Sequence, residues 1–322
     1  MDLRYLPALL LLLTTGAIAN EPLYVKNLSP VAGLLGLPSQ RNADIAEAGS
    51  FGLALHGSVA SHYMSESNSD EYLNLDGETM RVAIEVRYAL ADDWDVQLEA
   101  PWLNHSGGNL DSLIDSWHDL WGMSDGGRSN APQDVLDYRY QGGDNFSLQD
   151  DASGLGDISL SLSHRFYGDD KSSAAVVLGY KFGSGDEDEF LGSGADDVFL
   201  ALRFSGDHGD DLPLRWHGQL GYLHAGQSDV IANIQEQDLW FAGLGVDWKI
   251  NTAWSLLGQL DAHAAPTDSD IDGIGAAAIM LSVGGRWRFA EAWALDLSLI
   301  EDVQVETAPD VTFQASLRYG AW

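Results

Sequence analysis

The chain contains no cysteine among its 322 residues, so its fold is not held by disulfides and thiolate–metal centres are excluded. Basic residues are scarce: 16 lysines and arginines stand against 49 aspartates and glutamates, a formal charge of −33. A nucleic-acid interface needs the opposite balance, so nucleic acid is not an expected partner. Long apolar runs are also missing. The single run, Leu6 to Leu13, is too short to cross a bilayer. It follows Arg4 and precedes Ala17-Ile18-Ala19, a small-x-small cleavage site. This predicts export, with residues 1–19 removed as a signal peptide after Ala19. Phosphate-loop and zinc signatures are absent, and no cofactor is expected.

What the chain has in abundance is alternation. Residues 80–90 read MRVAIEVRYAL. One parity is Met80, Val82, Ile84, Val86, Tyr88 and Leu90; the other carries Arg81, Glu85 and Arg87 between alanines. Period two with one fully apolar face predicts a strand whose apolar face is buried in something greasy. The figure recurs to the end of the chain, as in Val198/Leu200/Leu202/Phe204, Trp240/Ala242/Leu244/Val246/Trp248 and Val311/Phe313/Leu317/Tyr319. Counted through, it gives about twelve strands, the even number that single-chain outer-membrane barrels require. The polar parity carries Arg81, Arg87, Arg165, Lys181, Arg203, Arg215, Lys249, Arg286, Arg288 and Arg318, with Glu85, Asp95, Glu99, Asp247, Asp261 and Asp296 against them. The linking segments are mostly acidic. An antiparallel transmembrane β-barrel accounts for both: apolar residues toward lipid, charged residues lining an enclosed lumen. The expected location is the outer membrane of a Gram-negative bacterium, in contact with its lipid and lipopolysaccharide.

Short links (91–93, 168–172, 251–253, 290–292) alternate with long ones (64–78, 104–153, 183–196, 225–237, 264–274, 301–310), and 205–212 is intermediate. Short turns are expected in the periplasm and long loops outside. Three short turns are flanked by aromatic pairs, Tyr88/Trp94, Trp248/Trp254 and Trp287/Trp293, as a girdle at the periplasmic membrane boundary would be. The terminal strand, VTFQASLRY before Gly320-Ala321-Trp322, resembles the signal that outer-membrane proteins present to the barrel-assembly machinery, an expected transient partner.

Two segments fall outside the strands of the barrel, residues 47–322. Residues 20–46 hold three prolines and the apolar patch Val31 to Leu37, and read either as a lumen plug or as a periplasmic lead-in or docking arm. The insert at 104–153 holds one short amphipathic helix: Leu110, Leu113, Ile114, Trp117, Leu120 and Trp121 share a face, with Asn109 as N-cap.

The stretches PLYVKNLSPVAGLLGLPS (22–39), NLDGETMRVAIEVRYAL (74–90), GNLDSLIDSWHDLWGMSDGGR (108–128), SGLGDISLSLSHR (153–165) and FLGSGADDV (190–198) resemble the bacterial proteins grouped as domain of unknown function 3187. The resemblance implies an outer-membrane barrel and carries over no activity and no catalytic residue.

Candidate chemistry is thin. His56 and Ser58 share the lumen parity and read as a polar pair rather than a catalytic dyad; adjacent Ser163 and His164 point to opposite faces. Asp268, Asp270 and Asp272 fit half of a calcium loop, but its twelfth position is Ile279, so no metal site is expected beyond weak rim candidates. An enzyme is therefore not expected, and a membrane lipid-modifying activity ranks last. The leading expectation is a channel for small polar or anionic solutes, with Arg81, Glu85, Arg87, Glu99, Arg165, Lys181, Arg203, Arg215, Asp247, Asp261, Arg286, Arg288 and Arg318 lining the lumen. If those arginines pair fully with the acids, the interior is instead a salt-bridged plug, and the alternative is a closed structural or partner-docking barrel.

Overall fold

The computed structural model describes residues 21–108, 134–208, 213–303 and 307–320. The chain is all-β. Its strands are β1 (Phe51–Ser67), β2 (Tyr72–Ala91), β3 (Trp94–Ser106), β4 (Asp137–Gln141), β5 (Asn145–Leu148), β6 (Ala152–Leu155), β7 (Ser159–Gly168), β8 (Ser172–Lys181), β9 (Asp197–Asp207) and β10 (Leu214–Ala225). They continue with β11 (Asp238–Lys249), β12 (Trp254–His263), β13 (Ala278–Ala290), β14 (Trp293–Asp302) and β15 (Val311–Gly320). Twelve of them close an antiparallel ring in the order β1–β2–β3–β7 through β15, and β15 pairs back onto β1 from Gly52↔Gly320 to Ser61↔Val311. A closed ring leaves no unpaired edge, as a lipid environment demands.

The alternation divides the ring as its chemistry requires. On β2, Met80, Ile84, Tyr88 and Leu90 face outward and exposed, while Arg81, Ala83, Glu85, Arg87 and Ala89 are buried inside. No helix among the described residues is long and apolar enough to cross a membrane; the strands do the crossing.

Three features differ from the sequence reading. The link read at 64–78 is mostly strand: β1 and β2 stay in register to Ser67↔Tyr72, leaving a turn at residues 68–71. Beyond the lipid a strand needs no apolar face, so the alternation fades while the ladder goes on. Part of the insert read at 104–153 likewise forms strands, β4 on the outer end of β2, β5 on β4, and β6 on β3. The link read at 205–212 begins later than expected, because β9 and β10 pair as far as Asp207↔Arg215. The amphipathic helix expected within 109–121 lies outside the described residues. A different four-residue helix, α1 (Asp272–Gly275), occupies the β12–β13 loop.

The described parts of the long loops pack against one another. Leu73, Leu75, Leu136, Tyr138, Tyr140 and Phe146 from the extended β2–β4–β5 region pack with Phe190, Ile231, Ile234, Ile271 and Ile274 from three other loops. They form an apolar cap across the long-loop end of the barrel. Phe190 adopts a φ of +58° there, a conformation rarely taken by bulky residues and held by its packing.

Candidate functional site

Inside the ring, residues 21–46 form a hairpin, one limb rising from the short-turn end and one returning to it. Glu21 starts beside Arg87 and Arg286. Leu23 and Val25 pack on Leu257, Met280 and Ile300 of the inner wall. Asn27 donates to the carbonyl of Thr307 and contacts Nε2 of His263. The tip is a 3-10 turn at Ala32–Leu34, where Val31 and Leu34 join the cap from below. The return limb seats Leu35 among Val177, Phe199, Leu223, Leu239 and Phe241, then passes Gln40, Arg41 and Asn42 before β1 begins. Most residues of both limbs are buried, and Gly33 at the tip is the only exposed one.

The seating explains something the sequence displayed and the parity argument passed over. Phe199, Leu223, Leu239 and Phe241 lie on the inward parity, where a water-filled lumen would not favour them. They are the socket for the hairpin's apolar patch. That inward apolar cluster on β9, β10 and β11 is the signal that marks an occupied barrel.

The charges close in pairs and small networks. Arg81 donates to Glu99 at 2.6 Å and to the hydroxyl of Tyr24. Arg87 bridges Asp95 at 2.5 Å and Glu21 at 2.7 Å. Asp296 accepts from Arg286 at 2.6 and 2.8 Å and from Arg318 at 2.9 Å. Arg288 and Arg286 both approach Asp247, at 3.6 and 3.7 Å. Lys181 reaches Asp157 at 2.7 Å and Asp197 at 3.2 Å, and donates to the Leu34 carbonyl at 3.0 Å. Asp261 accepts from Gln40 and Gln259, each at 2.8 Å. Glu85 meets Arg41 of the hairpin and lies 3.4 Å from His56. Glu21, Tyr24, Gln40, Arg41, Asp157 and Asp197 thus complete a network that strand parity could not supply, because it joins distant segments.

Two of the expected lumen arginines stand at the mouth instead. Arg165 stands just before a register shift near the end of β7 and pairs with Asp93 in the adjacent turn at 2.8 Å; Arg215 pairs with Asp207, and both are partly exposed. Arg203 is buried without an ion-pair partner among the described residues. His56 stacks on Tyr24 with ring centroids 3.8 Å apart and bonds Ser316 at 2.8 Å, while Ser58 bonds Gln314. His56 and Ser58 thus each bond across the seam to β15. Ser163 is buried and His164 stacks on Trp94 outside, so the two do point to opposite faces.

The aromatic residues ring the short-turn end on the outer surface. Tyr88, Trp94, Trp248, Trp254 and Trp287 are all exposed there. Trp254 stacks on Trp287 at 5.7 Å, and Trp293 contacts Tyr319 at 4.8 Å. At the opposite end, Asp268, Asp270 and Asp272 follow the loop around α1, and no carboxylate–histidine cluster fit for a metal occurs among the described residues. The loop is tied instead to Glu71, which accepts from Tyr140 at 2.5 Å, Ser269 at 2.8 Å and the Asp270 amide at 3.0 Å. Slight burial raises the Glu71 pKa, but these hydrogen bonds outweigh it and hold the carboxyl below its usual range. Burial first, then the Glu71 carboxylate, pushes the Tyr140 hydroxyl up to about 12.

A comparison with curated proteins finds no match. Among solved structures, the chain is similar to the COG4313 outer membrane channel from Pseudomonas putida F1, at 15% identity and a TM-score of 0.56, over 86% of this chain and 97% of that one. The NanC porin is more distant, at 8% identity and a TM-score of 0.49 over 83% and 98% of the two chains. So is the toluene transporter TbuX of Ralstonia pickettii, at 12% identity and 0.41 over 91% and 98%. At these identities the likeness speaks to the fold, an outer-membrane β-barrel. A family profile spans nearly the whole sequence, residues 13–321, and the chain belongs to that family, the proteins of unknown function called DUF3187.

Proposed function

We propose that the protein is an outer-membrane channel held closed by its own N-terminal hairpin, and that small polar solutes, anions included, pass when the hairpin leaves its seat. The carrying observation is the nature of the plug. Residues 21–46 fill the ring, and beside the apolar contacts of Leu23, Val25, Val31, Leu34 and Leu35 they are held by hydrogen bonds and ion pairs that water can replace. The wall left behind would display Arg81, Arg87, Lys181, Arg203, Arg286, Arg288 and Arg318 against Glu85, Glu99, Asp247, Asp261 and the other inner acids. Such a mixed, charged lining suits hydrated solutes. The short-turn end then faces the periplasm and the cap faces outward.

The absence of cysteine makes the test clean. A β-carbon on Gly36 would lie 3.2 Å from that of Asp197, near the span a disulfide bridges. The Gly36→Cys/Asp197→Cys variant should be silent in a planar bilayer when oxidised and should open after reduction, and a chain lacking 21–46 should conduct steadily. Folded protein that stays silent in both the reduced and the deleted form would instead establish a closed docking barrel.

A further inference from the structure

Arg203 breaks the pattern of paired charges. It lies on β9, is 3% exposed, and its Nε has no acceptor among the described residues. The carboxylates that act on it, Asp95 and Glu21, do so from beyond ion-pair distance, and both are bonded to Arg87. A buried guanidinium without acceptors is heavily penalised unless something negative accompanies it.

The residue borders a space of about 30 Å³, shared with Lys26, Ser39, Gln97, Ser159 and Ser161. That is room for one halide ion or one or two waters. The lining is rich in donors. Ser39 Oγ accepts from the Val25 amide at 2.8 Å, which leaves its own hydrogen free to point inward. Lys26 adds an ammonium, which also donates to the Leu37 carbonyl at 2.9 Å and lies 3.7 Å from Glu99, and the serines and Gln97 add neutral donors. The one carboxylate on the lining, Glu99, is engaged by Arg81 at 2.6 Å.

We propose that this space is an anion site that holds one halide-sized ion against Arg203. The ion supplies the missing countercharge and bridges the β9 wall to the return limb of the hairpin through Ser39. Halide occupancy therefore favours the seated hairpin. The site does not depend on the channel reading, since the countercharge is needed whether or not the barrel ever opens.

The direct test uses bromide. Crystals of the mature protein soaked in sodium bromide should show an anomalous peak among Arg203, Ser39 and Ser161, absent from Arg203→Met. In solution, replacing bromide by methanesulfonate at equal ionic strength should lower the midpoint of heat-modifiable gel mobility for the wild type and leave Arg203→Met unmoved. Should that variant not fold, Ser161→Leu keeps Arg203 and fills the space, and it must lose the peak. Water alone at the site overturns the proposal, and so does a peak that survives Arg203→Met, which would mark an adventitious ion only.

Discussion

Asp296 accepts three bonds from two buried guanidinium groups, Arg286 and Arg318. Asp296→Ala would leave both without their main acceptor, and removing one member of a buried pair costs about 3–5 kcal/mol. A urea titration in detergent micelles should show a loss of that size. At the mouth, Arg165 pairs with a half-exposed Asp93, and surface pairs are worth roughly 0–1 kcal/mol. Arg165→Ala should therefore leave the midpoint almost unmoved. The sequence places these two arginines alike, since parity reports the side of a strand and not the depth along it. It was legible that Arg286 faces inward. That it shares Asp296 with Arg318 depends on the alignment of β13, β14 and β15, which alternation alone does not state. Arg41 was out of reach for another reason: its partner Glu85 lies across the lumen from a segment with no periodicity at all.

At the level of elements, the strands were written most plainly where lipid touches them. The turns flanked by Tyr88/Trp94, Trp248/Trp254 and Trp287/Trp293 were read as hairpins, and all three pair as such. The stacked Trp254 and Trp287 should couple by about 0.5–1.5 kcal/mol in a double-mutant cycle to alanine. Past the membrane the writing stops. Residues 72–76 pair with β1 on one side and β4 on the other, yet the sequence reads there as loop, because only a lipid-facing strand must alternate. The cap is less legible still: Ile231, Ile271 and Phe190 come from separate loops and become a core only when the ring brings them together. The latch on that cap is Glu71. Its carboxyl titrates below its value in the unfolded chain, near 4.3, so the latch contributes fully above that pH and is lost as pH falls through the lower, folded value. Protease nicking of the 264–277 loop should rise at pH 3 relative to pH 7. Glu71→Gln should nick readily at both.

For the whole molecule, the charge of −33 is borne by loops and rim, because the interior is closely balanced. If the short turns face the periplasm, an epitope inserted at 186–189 should be stained on intact cells and one inserted at 169–171 should not; the reverse pattern would invert the assigned orientation. The barrel itself was legible from one end of the chain to the other. Its content was legible only as one of two readings, plug or periplasmic arm, because residues 20–46 follow no period, and their seat shows only as apolar side chains on the wrong parity of three strands. That content also constrains how the molecule can be made. The Pro22 carbonyl accepts from Arg318 at 3.1 Å, and the Glu21 carbonyl accepts from Arg286 at 2.7 Å, across 296 and 265 residues of chain. A segment that precedes β1 is thus gripped by β13 and β15, which are made much later. A ring sealed along the β1–β15 seam with its hairpin still outside would have to be threaded afterwards, whereas a hairpin present beforehand serves as a mandrel on which the final strands wrap. Contacts of such span are slow to form, so closing the seam should be the late, rate-setting event in the protein's biogenesis.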